Sequence, residues 1–246
     1  MNNAPLEGHD PNPLPGIFVT ATGTEVGKTL VSCALVYGLR ELGKQVTAVK
    51  PAETGCTPDP LDALRLARVC EQAAVAQAKG LYRVAPPLAP AAAARELEEP
   101  PPESASLVSA CLQLRRPGAW LLVEGAGGLL VPLNERETFA DFAVQLALPL
   151  VLVAPDELGT LSHSLATYEA AEHRGLRIAA LVLNQVRPGQ PLRNPQASNQ
   201  ALLAERLPVP VCKFPYQEAD TPEALLRSVQ ESGLLQAVFE AGSIKS

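Results

Sequence analysis

The sequence has few of the residues that build metal centres and disulfide frameworks. It contains three histidines and five cysteines in 246 residues, and no two of the cysteines form a CxxC pair. An odd number of scattered cysteines suits neither a set of disulfides nor a zinc site. We therefore expect free thiols and a reducing compartment, the cytoplasm.

The sequence also lacks the features of membrane proteins and of nucleic-acid-binding proteins. No apolar run approaches the length of a transmembrane helix, and residues 1–15 are polar and proline-rich, unlike a signal peptide. The formal net charge is −6, with 19% charged residues, which gives no sign of a basic surface for a polyanion. We expect neither a membrane nor a nucleic acid as partner.

The remaining composition is that of a globular α/β protein. Hydrophobic residues make up 47% of a chain that is long enough to bury a sizeable core. Strand and helix signals alternate along it, which predicts a parallel sheet of about seven strands with helices on both faces. We predict a flexible tail over residues 1–15, a single domain over residues 16–246, and irregular structure over residues 51–60, where prolines and Gly55 interrupt the pattern.

A phosphate loop is predicted within residues 18–30, which read FVTATGTEVGKTL. A short apolar strand runs into a turn rich in glycine and threonine, and Gly27 opens a helical pattern. The backbone N–H groups of such a loop and of the helix N-terminus bind phosphates. Lys28 can reach the β- and γ-phosphates and Thr29 can ligate Mg²⁺. The loop is a variant, because Thr22 stands where the usual pattern has its first glycine.

Further polar residues follow other predicted strands, at the sheet edge where α/β proteins bind ligands. Lys50 and Thr54 follow the second strand, Asp62 lies just beyond them, and Glu124 precedes a run of glycines. Two lysines, a hydroxyl and two carboxylates are what phosphoryl transfer with magnesium requires. Asp62 would equally suit the dipole of a helix N-terminus. Asn184 could read a base edge or cap a turn, and the sequence does not decide between them.

Five segments of the sequence together resemble the dethiobiotin synthetase family of P-loop NTPases. They are TGTEVGKT at residues 22–29, KPAETG at 50–55, VEGAGGLLVPL at 123–133, LGTLSH at 158–163 and LNQV at 183–186. They occur in the family's order within residues 17–222. Any one of them alone would indicate only a P-loop NTPase.

The resemblance implies a ligase of biotin biosynthesis that uses ATP and Mg²⁺. Its substrates would be ATP, 7,8-diaminononanoate and CO₂, and bicarbonate in solution would supply the CO₂. CO₂ would form a carbamate on one amine, the carbamate oxygen would attack the γ-phosphate, and the second amine would close the ureido ring from the carbamic-phosphoric anhydride. The products would be dethiobiotin, ADP and phosphate.

The resemblance also assigns roles to individual residues. Lys50 and Lys28 would be catalytic, with Lys50 facing the carbamate and the γ-phosphate; Thr54 would contact the substrate. The metal would be held by Thr29, Asp62 and Glu124. The nucleotide would be bound by residues from several loops, which are Glu25, Val26, Gly27, Lys28, Thr29, Leu30, Asp62, Glu124, Gly125, Ala126, Gly127, Asn184, Gln185, Pro215, Tyr216 and Gln217.

Members of this family are typically homodimers with the diamine site at the subunit interface. By resemblance, the segment that contains Thr160 would lie near the substrate carboxylate, and a helix N-terminus there would suit an anion. We therefore expect a homodimer and treat Thr160 as a substrate residue.

Two departures and one alternative accompany this interpretation. Ala21 stands where the family has a glycine, which is tolerable if its φ is negative, and residues 87–91 replace a Ser-Pro-His segment of some members. The alternative is a partitioning or site-selection ATPase, a nucleotide-dependent switch of the same architecture. Such proteins carry an extra lysine near the start of the phosphate loop, which is absent here, and their membrane-binding versions end in a basic amphipathic helix.

Overall fold

The computed structural model of the protein describes residues 14–188 and 198–243. Most of the tail that we predict over residues 1–15 therefore lies outside the described residues. Eight strands and nine α-helices occur in the described part of the chain. The strands are β1 (Gly16–Ala21), β2 (Val46–Val49), β3 (Ala52–Thr54), β4 (Tyr82–Val84), β5 (Trp120–Glu124), β6 (Leu150–Pro155), β7 (Ile178–Asn184) and β8 (Val211–Phe214).

The helices alternate with these strands along most of the chain. They are α1 (Lys28–Glu41), α2 (Leu61–Val69), α3 (Pro90–Leu97), α4 (Ser104–Leu114), α5 (Phe139–Leu146), α6 (Thr160–Glu172), α7 (Asn199–Ala204), α8 (Pro222–Glu231) and α9 (Leu234–Gly242). A short 3₁₀ helix spans Ala73–Val75. In the part of the chain described here, no helix combines the length and the apolarity needed to cross a membrane.

The central sheet confirms the predicted α/β architecture. Six parallel strands lie in the order β2-β5-β1-β6-β7-β8. The number of about seven strands is approximate, because the remaining two described strands form a separate parallel ribbon, β3-β4. The prediction of irregular structure over residues 51–60 is wrong for residues 52–54. Its prolines flank β3 without falling inside it, and the pairing partner Tyr82–Val84 is distant in sequence.

Two large apolar clusters, one on each face of the sheet, form most of the core. One cluster joins buried side chains of α1, α8 and α9 to the sheet, and the other joins those of α4, α5, α6 and α7. Strands covered on both faces read as nearly continuous apolar runs, as β5 and β6 do. The helices thus leave the carboxyl ends of the strands, and the loops that follow them, as the site where polar side chains can converge.

Candidate active site

The strand order brings the candidate residues together at one edge of the sheet. β5 lies between β1 and β2, with Val19 opposite Glu124 and Val49 opposite Val123. Because all three strands are parallel, the loop after β1, Lys50 after β2 and Glu124 at the end of β5 emerge side by side. The sequence predicts these strands, but it does not show that β5 is inserted between the other two.

The phosphate loop ends at Gly27, which is the N-cap of α1 and has φ 94° and ψ 24°. An added Cβ at Gly27 would lie 2.1 Å from Nδ2 of Asn184, so this position needs glycine for its dihedral angles and for its space. The Asn184 Nδ2 group donates a hydrogen bond to the Val26 carbonyl at 2.9 Å. Asn184 at the end of β7 therefore fixes the loop after β1. Glu25, in the same loop, is exposed and has a positive φ of 56°.

Ala21 fits the phosphate loop without strain. It is the last residue of β1, is fully buried, and is not among the residues with positive φ. Alanine in place of the family's glycine is therefore tolerated here, because its φ is not positive. Its carbonyl accepts a hydrogen bond from the Leu129 N–H at 3.0 Å, which ties the glycine-rich segment after β5 to the start of the loop.

A buried lysine joins two carboxylates at the centre of the site. The Lys50 ammonium donates to Asp62 Oδ2 at 2.7 Å and to Glu124 Oε1 at 2.7 Å. The Thr29 hydroxyl donates to the same Glu124 oxygen at 2.8 Å. Lys50 and Glu124 are buried, while the Asp62 side chain is 45% exposed. Four of the predicted residues thus form one connected group.

Charge pairing sets the ionisation of this group. Burial alone lowers the pKa of Lys50, but the carboxylates of Glu124 and Asp62 outweigh it and hold that pKa above its ordinary value. Burial raises the pKa of Asp62, and the Lys50 ammonium overcomes this and lowers the pKa below its ordinary value. Lys50 is therefore a fixed cation at neutral pH.

Lys28 is the second buried lysine, and its ionisation differs from that of Lys50. Its ammonium donates to the Gly23 carbonyl at 2.9 Å across the phosphate loop. Burial and the positive charge of Lys50 lower the pKa of Lys28 to about 8, although the negative charges of Glu124 and Asp62 oppose this shift. Lys28 is therefore partly neutral just above physiological pH and would gain a proton on meeting an anion.

This ionisation predicts proton uptake when a nucleotide binds. At pH 8 the free Lys28 side chain is half ionised, and phosphates would hold it fully charged. We expect an uptake of about half a proton per nucleotide, and an affinity that falls as the pH rises above 8. Titration calorimetry in buffers of different ionisation enthalpy measures this uptake. Lys28→Arg, whose guanidinium stays charged, should abolish it; the same heat in every buffer for the unmodified protein would contradict the assignment.

Two buried acceptors at the site have no hydrogen-bond partner in the described structure, Glu124 Oε2 and Asn184 Oδ1. Burying an acceptor without a partner is costly, which makes each of them a place where a ligand would complete the hydrogen bonding. Glu124 Oε2 lies on the fully buried carboxylate that already holds Lys50 and Thr29. Asn184 Oδ1 belongs to the amide that braces the phosphate loop.

The sequence interpretation misses two residues that support this group. Glu53 accepts hydrogen bonds from the backbone N–H groups of Asp62 and Ala63, both at 2.9 Å. Burial raises the pKa of Glu53 although these two donors oppose the shift. Arg83 donates to the Lys50 carbonyl at 2.7 Å. The sequence does offer one indication for Glu53: it is an acidic residue in the segment KPAETG to which no role is assigned.

The glycine-rich segment after β5 packs against protein in the described structure. Gly125 donates its N–H to the Val19 carbonyl at 2.9 Å. Ala126 and Gly127 are partly exposed beside it, and a Cβ at Gly127 would lie 2.7 Å from Val131. Close packing inside the protein thus accounts for small residues here, and a nucleotide contact for Gly125, Ala126 and Gly127 stays a prediction.

The predicted base-pocket residues lie after β7 and β8. The Gln185 N–H donates to the Phe214 carbonyl at 2.9 Å, which joins the two strand ends. Gln217 uses its amide nitrogen internally, since Nε2 donates to the Pro215 carbonyl at 2.8 Å and to Ser228 Oγ at 2.9 Å. The side chain of Tyr216, the residue between Pro215 and Gln217, is exposed. For Gln217 these contacts leave the acceptor oxygen, rather than the amide donors, for a ligand.

The two predicted substrate residues have no hydrogen bond to the lysine group among the described contacts. Thr54 ends β3 and is partly exposed. Thr160 begins α6, is buried, and lies 3.5 Å from the Ser164 hydroxyl through its own hydroxyl oxygen. Leu30, which we predict to contact the nucleotide, lies in α1 and is a partly buried residue that packs against the core. The substrate roles of Thr54 and Thr160 stay predictions.

Comparison with known proteins finds relatives along most of the chain. The family described as an AAA domain matches residues 15–224. The ATP-dependent dethiobiotin synthetase of Pseudomonas aeruginosa is 39% identical over 220 residues, covering 86% of this chain and 94% of the relative. That of Anaeromyxobacter dehalogenans is 48% identical over 174 residues, covering 70% of this chain and 78% of the relative.

Solved structures share the fold at low identity. Cobyrinic acid a,c-diamide synthase from Mycobacterium smegmatis, with bound ADP and magnesium, has a TM-score of 0.56 at 17% identity, covering 94% of this chain and 97% of that one. The MinC:MinD cell division complex of Aquifex aeolicus has a TM-score of 0.53 at 15% identity, covering 94% and 98%. Together with the match to the AAA domain family, these similarities confirm the predicted P-loop NTPase fold. Because the sequence relatives align over most of both chains, this chain belongs to the dethiobiotin synthetase family.

Proposed function

We propose that the protein closes the ureido ring of dethiobiotin from 7,8-diaminononanoate and CO₂, with ATP as the second substrate. The observation that carries this proposal is the buried Lys50 ammonium, held between Asp62 and Glu124 beside a phosphate loop. A phosphate loop alone would serve any nucleotide hydrolase. A second, permanently charged lysine at the loop suits an enzyme that brings an additional anion, a carbamate, to the γ-phosphate.

ATP would bind along the loop after β1 and at the N-terminus of α1. Backbone N–H groups there would bind the phosphates, and Lys28 would supply the positive charge for the β- and γ-phosphates. The unpartnered Oδ1 of Asn184 is an acceptor, which suits the exocyclic amino group of adenine. Gln185, Pro215, Tyr216 and Gln217 would complete the base pocket.

Magnesium fits the donor set of this site. Thr29, Asp62 and the unpartnered Oε2 of Glu124 are hard oxygen ligands, the kind that Mg²⁺ prefers. The described residues contain no group of three or more His, Cys, Asp or Glu side chains that could hold a metal ion by themselves. Mg²⁺ commonly takes one or two carboxylates together with substrate phosphates, so ATP would supply the remaining ligands. When bound, the ion would neutralise charge on the phosphates.

The proposed reaction has three steps. One amine of the diamine adds to CO₂ and loses a proton to form the carbamate. A carbamate oxygen attacks the γ-phosphorus as the bond to the ADP oxygen breaks, which gives the carbamic-phosphoric anhydride. The second amine then attacks the carbonyl carbon, the bond from this carbon to the phosphate oxygen breaks, and phosphate leaves as the ring closes with loss of a proton.

Lys50 would act in the first two of these steps through its charge. Its ammonium would attract the carbamate and offset the negative charge that accumulates as carbamate and γ-phosphate approach each other. Asp62 and Glu124 keep it ionised and fix its position. Thr54 would contact the diamine, and Thr160 at the N-terminus of α6 in a second copy of the chain would receive its carboxylate. The protein would then work as a homodimer in the cytoplasm.

The alternative function, a partitioning or site-selection ATPase, predicts a different substrate dependence. Such a switch hydrolyses ATP without a small-molecule acceptor, whereas the proposed enzyme needs a carbamate to receive the γ-phosphate. The test is phosphate release from Mg²⁺ and ATP with diaminononanoate and bicarbonate, and with each one omitted in turn. We expect release to fall by at least about a hundredfold without the diamine, as expected when the attacking group is missing. A rate of phosphate release that is the same with and without the diamine would favour the switch ATPase.

A further inference from the structure

Helix α2 has no N-cap from its own sequence. The residue at that position is Pro60, which offers no side-chain hydrogen bond. Instead, Glu53 reaches over from β3 and places one carboxylate oxygen on the N–H of Asp62 and the other on the N–H of Ala63, both at 2.9 Å. Its side chain is buried, with 7% of its surface exposed. Free N–H groups at a helix start normally need such an acceptor, and an anion suits the positive end of the helix dipole.

The helix start that Glu53 holds is also the part of α2 that enters the active site. The backbone N–H of Asp62 bonds to Glu53, while the side chain of the same Asp62 accepts the Lys50 ammonium at 2.7 Å. A change in the position of the first turn would therefore move the carboxylate that pairs with Lys50. The Asp62 side chain is half-exposed, so its position depends largely on this turn and on its polar contacts with Lys50 and Thr29.

Glu53 itself is held by the β3-β4 ribbon. It lies opposite Arg83 in the register of the two strands. Arg83 donates to the carbonyl of Lys50 at 2.7 Å and to that of Ala76 at 3.1 Å. The ribbon thus constrains Lys50 at both ends, through Arg83 at the backbone and through Glu53 and Asp62 at the ammonium.

We propose that Glu53 is a positioning residue, which sets Asp62 so that it can pair with Lys50 and ligate magnesium. This inference rests on the proposed function in so far as Lys50 and Asp62 act in the reaction. The role is distinct from that of the residues that contact nucleotide or substrate, because Glu53 uses both oxygens on backbone N–H groups.

The decisive variant is Glu53→Gln, which keeps the shape of the side chain. Its amide nitrogen cannot accept a hydrogen bond, so one of the two backbone N–H groups loses its partner. We expect amide hydrogen exchange to accelerate about tenfold at residue 62 or residue 63, whichever of the two faces the amide nitrogen. We expect the Mg²⁺ concentration for half-maximal turnover to rise about tenfold or more, as for loss of an outer-shell partner of a metal ligand. Affinity for ATP without Mg²⁺ should change by less than about twofold, because the phosphate loop is untouched.

Two further variants separate positioning from a general loss of stability. Glu71→Gln removes the Arg40 ion pair just beyond the other end of α2 and should change neither the exchange at residues 62 and 63 nor the Mg²⁺ requirement. Adding Pro60→Asp to Glu53→Gln gives the helix an N-cap acceptor of its own and should restore both quantities in part.

Each outcome bears on the inference. Unchanged exchange and Mg²⁺ requirement in Glu53→Gln would overturn it, and so would an equal loss of metal-free ATP affinity, which indicates general unfolding. Failure of the proposed function is distinguishable, since it appears as absence of dethiobiotin in the unmodified protein. In that case the exchange rates and calorimetric binding of ADP with and without Mg²⁺ still test the role of Glu53.

Discussion

Lys50→Ala is expected to lower kcat by about a hundredfold to a thousandfold, in line with losses on removing one group that stabilises developing charge. The variant removes the permanent cation beside the γ-phosphate but leaves the phosphate loop, Lys28 and Thr29 in place. Nucleotide affinity should therefore change by less than about threefold. The measurements are steady-state phosphate release with both substrates present and calorimetric binding of ADP.

Loss of the Lys50 ammonium also has a structural cost. It leaves Glu124 fully buried without its charge partner, which destabilises proteins by about 3 kcal/mol or more. The melting temperature should fall by roughly 6–12 °C in a chain of this size. Lys44→Ala is the control, because Lys44 lies over the Phe239 ring, 5.4 Å from its centroid, and has no described contact to the site. Unchanged turnover in Lys50→Ala would exclude Lys50 from the mechanism.

Gly27→Ala is expected to abolish tight nucleotide binding, with an affinity loss of at least about a hundredfold, or roughly 2.7 kcal/mol. The new Cβ would lie 2.1 Å from Asn184 Nδ2, so the amide must move and release the Val26 carbonyl. The φ of 94° adds about 1–2 kcal/mol of backbone strain for any residue with a Cβ. Binding of ADP and thermal unfolding measure the two effects.

Gly23→Ala is the matched control for that loop substitution. An added Cβ at Gly23 meets no atom within 4 Å, and its φ lies outside the left-handed range. We expect stability to change by no more than about 0.5 kcal/mol, as for an ordinary surface substitution. If Gly27→Ala bound ADP as well as Gly23→Ala does, the contact between Asn184 and the phosphate loop would have no part in nucleotide binding.

Local sequence patterns were sufficient to predict the parallel sheet, the loop between β1 and α1, and the meeting of Lys50, Asp62 and Glu124 at one edge of the sheet. The apolar runs that became β1, β5 and β6 are buried on both faces of the sheet, and this is the setting in which a continuous apolar pattern is informative. The prediction that Lys50, Asp62 and Glu124 converge followed from their positions after strands, because parallel strands end at a common edge.

The features that escaped prediction depend on contacts between segments distant in sequence. β3 forms because residues 52–54 pair with residues 82–84, and prolines nearby gave the opposite local signal. Glu53 caps a helix that begins eight residues later, so no capping pattern marks it. Asn184 braces the phosphate loop across 158 residues of chain through its amide nitrogen, a role that the two alternatives of base recognition and turn capping did not include. Base recognition through its oxygen stays a prediction.

The central claim, that phosphate is released only as the ureido ring closes, has one direct test. Phosphate and dethiobiotin are quantified in the same quenched reaction with ATP, Mg²⁺, diaminononanoate and ¹³C-bicarbonate. Mass spectrometry measures the mass of the dethiobiotin. We predict one phosphate for each molecule of dethiobiotin, and a dethiobiotin mass that shows the incorporated ¹³C. Phosphate formed in large excess, or formed with no labelled dethiobiotin, would contradict the ring-closing function.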